Sequence, residues 1–204
     1  MKIALLFALV LCTAFESLST ASEPNAVRAK LPRDTIIQGY PCARGDTWFY
    51  PDGALNQCAI SRATSFGEAQ IPRRSVIELW PNGATRYLTL SHNTILSGYR
   101  ALGGSTLFRI GSFQPSVNAF YPSGKLRTLY LVDDQFIQGI PCRGGPISLS
   151  YTSLLGGNQV DFYEDGQLRS CKLTRDYAGQ RSGQRLLLPY QPKPPAATRL
   201  ISDR

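Results

Sequence analysis

From about Leu31 to Leu188 the chain alternates apolar and polar residues in short runs, rich in valine, isoleucine, tyrosine, phenylalanine and threonine and punctuated by glycine or proline. This is the period-two pattern of half-buried strands, and no long stretch holds the 3.6-residue spacing of an amphipathic helix. One phrase recurs: FYPDGALNQCAI from Phe49, LWPNGATRYLTL from Leu79, FYPSGKLRTLYL from Phe120 and FYEDGQLRSCKL from Phe162. Each copy reads as a β-hairpin. Pro51, Pro81 and Pro122 suit the first central position of a type I turn, and Asp52, Asn82, Ser123 and Asp165 can bond the local backbone. Gly53, Gly83, Gly124 and Gly166 then supply the residue that takes the left-handed conformation of a bulge, which makes a three-residue loop. Beyond the glycine, Cys58, Leu88, Leu129 and Cys171 share a face with Ile60, Leu90, Leu131 and Leu173, and that face is predicted to be buried.

A second phrase links the hairpins: DTIIQG from Asp34, NTILSG from Asn93 and DQFIQG from Asp134, ending at Gly39, Gly98 and Gly139. The unit is therefore hairpin, short turn, apolar strand, glycine. Repeated pieces of this kind bury their apolar faces only by stacking on one another. The predicted fold is all-β, an antiparallel meander of four repeated β-hairpins with linking strands. The interval from Gly53 to Gly83 is shorter than the two that follow, so the array is less regular than an ideal solenoid.

The map of the chain follows. Lys2, the apolar run Ile3 to Leu11 and the small residues Ser19-Thr20-Ala21 form the pattern of a secretory signal peptide over residues 1–21. The run is too short for a membrane span, and no later stretch is long and apolar enough for one. Cys12 raises a lipoprotein alternative, which Leu11 before it disfavours. Residues 22–30 read as a flexible leader, 31–188 as the repeat domain, divisible into halves at about 31–110 and 111–188, and 189–204 as a Pro-rich disordered tail opened by PYQPKPP.

The formal net charge is +8, from 22 Lys and Arg against 14 Asp and Glu. An exported basic chain meets anionic envelope polymers or an acidic protein; no nucleic-acid motif and no cofactor motif is visible.

The internal alignment also pairs the cysteines. Cys42 and Cys142 each stand three residues after a linking glycine, and Cys58 and Cys171 each stand five after a turn glycine. In the copy without cysteine these sites are Ala101 and Leu129, so both thiols are absent together. Of the three possible connectivities this favours Cys42 with Cys58 and Cys142 with Cys171. An oxidising compartment would form both bridges, each contributing about 3 to 4 kcal/mol by chain entropy. Zinc is disfavoured, because the chain has one histidine and no close cysteine pair.

Candidates for chemistry are few. His92 occupies the turn position held elsewhere by Arg33, Asp133 and Arg175, so the repeat accounts for it without a catalytic role. Asp133 and Asp134 are adjacent, hence on opposite faces if extended. Gly103-Gly104 and Gly144-Gly145 lack the strand and helix of a phosphate loop and read as loop flexibility. Two repeated features remain. Arg86, Arg127 and Arg169 each lie three residues after a turn glycine, with Asn56 in the odd copy, and stacked hairpins would set them in a row suited to carboxylate or phosphate; the plainer reading is a solvated rim. Tyr50, Trp80, Tyr121 and Tyr163 share one position before the turn, either as a ladder for a sugar or protein partner or as cross-strand packing.

The phrase of two aromatics, a turn ending in Asp/Asn-Gly and then leucine resembles the MORN-like repeat, in the antitoxin-type variant built of YYxNGxL hairpins. The resemblance covers the four hairpins and implies stacked hairpins serving as a scaffold or interaction surface, with no catalytic residues to carry over. The wide spacing, the cysteines and the signal peptide depart from that pattern. The expected function is a secreted or periplasmic, non-catalytic binding module for an envelope or extracellular partner. The alternatives are a wall or polysaccharide hydrolase using acids such as Asp161, Glu164 or Glu78, and an inhibitor or immunity-type protein for a secreted effector.

Overall fold

The computed structural model of the chain describes residues 26–67, 69–104, 117–145 and 158–192. The expected signal peptide with Cys12, and the tail from residue 193, lie outside them. Among the described residues all regular structure is β, arranged as four units of one build, a strand, a small two-stranded hairpin and a returning strand, and a fifth in which a short turn replaces the hairpin. The first unit is β1 (Val27–Leu31), β2 (Thr35–Ile37) with β3 (Tyr40–Cys42), and β4 (Gly45–Phe49). The second is β5 (Leu55–Ala59), β6 (Thr64–Phe66) with β7 (Ala69–Ile71), and β8 (Val76–Leu79). The third is β9 (Thr85–Thr89), β10 (Thr94–Leu96) with β11 (Tyr99–Ala101), and β12 (Val117–Phe120). The fourth is β13 (Leu126–Tyr130), β14 (Gln135–Ile137) with β15 (Ile140–Cys142), and β16 (Gln159–Phe162). The fifth is β17 (Leu168–Lys172), a short turn bridged by Tyr177 and Gln180, and β18 (Arg185–Leu187).

The long strands form one antiparallel sheet in the order β1-β4-β5-β8-β9-β12-β13-β16-β17-β18. β9 and β12, on either side of the expected division near residue 110, pair directly through Tyr87 and Ala119. The four repeated phrases are the turns between units. In each, the glycine N–H donates to the aromatic residue's carbonyl three positions back, as from Gly53 to Tyr50 at 2.9 Å, and each pairing shifts register at a bulge. Asp52, Asn82 and Asp165 accept the N–H two residues on, the local bond expected of them.

The linking segments hold more structure than a single strand. Gln38-Gly39, Ser97-Gly98 and Gln138-Gly139 have positive φ at both residues, 49° and 85° in the first pair, which is the type I′ turn of a two-residue hairpin. The strand before each such turn therefore folds straight back. The side-chain oxygens of Asp34, Asn93, Asp134 and Asp176 close these segments by accepting the N–H of Arg44, Gly103, Gly144 and Ser182 at 2.8 to 3.0 Å. Gly103 and Gly144 pass so near the preceding turn that an added Cβ would lie 2.2 Å from the carbonyl of His92 and 2.0 Å from that of Asp133, so these glycines are demanded by packing rather than by looseness.

One boundary differs from expectation. β1 lies largely inside the segment read as a flexible leader: Val27 to Leu31 pair with Phe49 to Gly45, because the backbone groups of β4 need a neighbour and supply a register that five residues with exposed side chains do not advertise. The lengthened intervals fall at 105–116 and 146–157, outside the described residues.

The small hairpins cover one face of the sheet, and the core lies between the two layers. Cys58, Leu88, Leu129, Cys171, Ile60, Leu90, Leu131 and Leu173 are all buried there, as predicted, against Leu96, Ala101, Ile137 and Cys142 of the covering hairpins. Cys42 is bonded to Cys58 and Cys142 to Cys171, with Cα separations of 5.7 and 5.6 Å. Both bridges join a small hairpin to the sheet and fit an oxidising, exported environment.

Candidate functional site: the outer face of the sheet

The opposite face of the sheet carries no covering layer among the described residues. Cross-strand register sets a row across it, running through Arg28, Trp48, Gln57, Glu78, Tyr87, Ala119, Thr128, Asp161, Ser170 and Leu187. Arg86, Arg127 and Arg169 lie beside this row, next to the bulges. They occupy β9, β13 and β17, two strands apart in each step, which spaces their backbones by about 10 Å. The three are not equivalent. Arg86 is half-buried, 3.4 Å from the Glu78 carboxylate and stacked over Trp80 at 4.6 Å and Tyr87 at 5.0 Å. The Arg127 guanidinium lies over the Tyr87 ring, 6.0 Å from its centre, and that of Arg169 over Tyr163 at 5.8 Å. Among the described residues neither Arg127 nor Arg169 has a carboxylate partner.

Between Arg127 and Arg169 lies an open depression of about 470 Å³, floored by Thr128, Asp161 and Ser170 and closed on the far side by Arg185 and Leu187. Its floor is a hydrogen-bonded network centred on Asp161. Thr128 Oγ1 donates to Asp161 Oδ1 at 3.0 Å, and Ser170 Oγ donates to Oδ2 at 2.9 Å. Gln159 Nε2 at 3.4 Å and Arg185 at 3.3 Å also donate to Oδ2, and Arg185 donates to Ser170 Oγ at 2.8 Å. The carboxylate is fully engaged and neutralised by Arg185, which leaves the walls cationic. Tyr130, beside Gln159, has its phenol held above the usual range, first by burial and then by the negative charge of Asp161.

The arrangement can hold an anion; it does not present an acid/base pair. Glu78 and Asp161 lie on β8 and β16, four strand spacings or about 19 Å apart, beyond the reach of two carboxylates flanking one glycosidic bond. Glu164 is exposed at a turn. His92 is also exposed, with its Nδ1 3.0 Å from Ser91 Oγ, and Asp133 is paired with Arg100 at 2.6 Å. No group of three His, Cys, Asp or Glu side chains able to hold a metal ion occurs among the described residues. Nor is any described helix long and apolar enough to cross a membrane.

The aromatic ladder joins the units to one another. Tyr50 Oη donates to the Leu79 carbonyl at 2.6 Å, Trp80 Nε1 to Phe120 at 3.3 Å, Tyr121 Oη to Phe162 at 2.9 Å and Tyr163 Oη to Leu188 at 2.8 Å. In the first three the acceptor precedes the same turn position one unit on, and in the last it lies just past the final strand. Tyr50 is buried and the other three are half-buried, so these rings are held in place by cross-unit packing. Tyr121→Phe keeps the ring and removes only the donor. It is expected to lower stability by about 1 kcal/mol in urea unfolding, and an unchanged midpoint would show that the bond contributes nothing.

Thr128, Ser170, Gln159 and Arg185 were not visible as site residues in the sequence. The signal is the strand register: each sits on the outward parity of its strand, and only pairing brings them around Asp161. Comparison with family models, with curated proteins and with solved structures finds no match to this chain.

Proposed function

We propose that the chain is an exported, non-catalytic binding module whose outer sheet face receives an anionic group of an envelope or extracellular partner. The observation that supports this most is the Arg127 and Arg169 pair, two guanidiniums without acidic partners among the described residues, flanking a depression whose only carboxylate is already neutralised. A carboxylate or sulfate between them would receive charge-assisted, bidentate hydrogen bonds, which are stronger than neutral ones and are geometrically selective for planar or tetrahedral oxyanions. The resemblance to MORN-like repeats points the same way, toward a scaffold that binds through a sheet surface.

Calorimetric titration with polygalacturonate and dextran sulfate tests the reading. Changing both Arg127 and Arg169 to Gln is expected to weaken binding by about tenfold or more, whereas Arg86→Gln, whose guanidinium is occupied by Glu78, should change it little. Binding that is equal in all three proteins, or absent in the unaltered one, would reject the site.

A further inference from the structure

Every turn between units carries the same bulge, and the extra residue in it is Asn56, Arg86, Arg127 or Arg169. On the other arm of the hairpin, the residue paired just before the register shift is Trp48, Glu78, Ala119 or Asp161 in the same order. Two of the four turns therefore set an acid beside a bulge arginine. In the second turn the two groups meet, with Arg86 3.4 Å from the Glu78 carboxylate. In the fourth they do not. Asp161 holds the place of Glu78 and Arg169 that of Arg86, yet the Arg169 guanidinium lies over Tyr163 and has no carboxylate partner among the described residues.

The difference arises one strand further on. Beside the Glu78 hairpin, β12 places Ala119 opposite Tyr87 and Val117 opposite Thr89; beside the Asp161 hairpin, β18 places Leu187 opposite Ser170 and Arg185 opposite Lys172. Val117 and Arg185 thus occupy one register position, apolar in the first case and cationic in the second. The Arg185 guanidinium reaches back across β17 to the floor of the depression. Its Nη1 donates to Asp161 Oδ2 at 3.3 Å and to Ser170 Oγ at 2.8 Å, and its Nη2 donates to the Gln159 carbonyl at 3.3 Å. A planar fork held by three acceptors is fixed in place, and it draws the carboxylate away from a bulge arginine that has no such anchorage. Both ion pairs are half-buried, so solvation does not separate them.

We propose that Arg185 is a positioning residue of the anion-binding depression, which by holding Asp161 keeps Arg169 open to a carboxylate of the ligand. This role rests on the anion-binding reading of the outer face. Without Arg185, Asp161 has the register of Glu78 and no rival cation, and it turns to Arg169 as Glu78 does to Arg86. The depression then closes from within, because the chain's own carboxylate takes the place of the ligand's. Arg127 is not open to the same capture from its own hairpin, whose other arm supplies Ala119 at that position.

Two measurements on the full oxidised chain test the role. In calorimetric titration with polygalacturonate, Arg185→Gln is expected to weaken binding about threefold or more, and adding Asp161→Asn to bring it back to within about twofold of the parent. With Arg169→Gln already present, Arg185→Gln should change binding by less than about twofold, because the arginine it protects is gone. Weakening by the same factor whether or not Arg169 is present would mean that Arg185 touches the ligand itself, and would overturn the proposal, as would no rescue by Asp161→Asn. The second measurement needs no ligand. In urea unfolding, the midpoint shifts of Asp161→Asn and Arg169→Gln should add in the parent and fail to add in the Arg185→Gln background, where the two groups have become partners. Additive shifts in both backgrounds would overturn the proposal, and the same curves show whether each variant folds. If polygalacturonate does not bind the unaltered chain, the anion-binding reading fails while the unfolding series still decides whether Arg185 keeps Asp161 from Arg169.

Discussion

Leu129→Ala is expected to destabilise the protein by about 3 to 5 kcal/mol, the largest effect of any single core substitution considered. Leu129 is fully buried on β13, opposite Val160 of β16, and belongs to the row in which other units place Cys58, Leu88 and Cys171. The cost has a local reason. The middle unit has Ala101 where its neighbours have larger groups or a bridge, so Leu129 fills that space alone, and neither layer can collapse to close a void. The sheet is held by cross-strand register on both sides of β13, and the covering hairpins are tied to one another through Arg100 and Gln135. Urea unfolding should show a lower midpoint with little change of slope. Ile95→Ala, in the preceding unit and on the outward side of its small hairpin, should stay within about 0.5 kcal/mol of the parent. Similar losses at the two positions would contradict the assignment of the core to the interlayer space.

Replacing Cys142 and Cys171 together by alanine is expected to cost about 3.5 kcal/mol in chain entropy, with a further loss from the emptied sulfur volume. The same change at Cys42 and Cys58 should cost about 3 kcal/mol, because that bridge spans 16 residues rather than 29. All four cysteines are fully buried, so reductant should act slowly on the native protein and quickly once it unfolds. Stability measured on fully oxidised and fully reduced chain, by chemical unfolding, checks the ranking. Equal midpoints would mean that the closed loops add nothing to the sheet.

How far such features can be read from residues alone depends on how local their cause is. The repeated turns are legible because proline, Asx and glycine each have a backbone reason to stand where they do within four residues. The disulfide pairing is legible because the repeat aligns both partners and leaves both blank together at Ala101 and Leu129. The small hairpins are hidden as hairpins because their turns place Gln38, Ser97 and Gln138 at positive φ, and nothing in those side chains announces it. The second of them is hidden further, since Ala63 replaces the Asp or Asn that marks the others and Gly67 is set differently. β1 is masked because it is a short edge strand with mostly exposed side chains, where only one neighbour dictates its conformation. The arginine row is visible as a spacing, but its inequality is not. That Arg86 is spent on Glu78 while Arg127 and Arg169 have no acidic partner among the described residues depends on which side chain each hairpin's other arm presents at the bulge, a matter of side-chain geometry that the spacing alone does not carry.

The placement of the two bridges bears on how such an array comes apart. One ties β3 of the first unit to β5 of the second, and the other ties β15 of the fourth unit to β17 of the fifth. In a linear stack the outermost members have a single neighbour and peel away first, so these covalent clasps sit at the two margins where fraying would start. The inner seams have two flanks of packing and carry no clasp. Partial opening under oxidising conditions should therefore begin in the interior of the stack, and reduction should move its starting point outward to the margins.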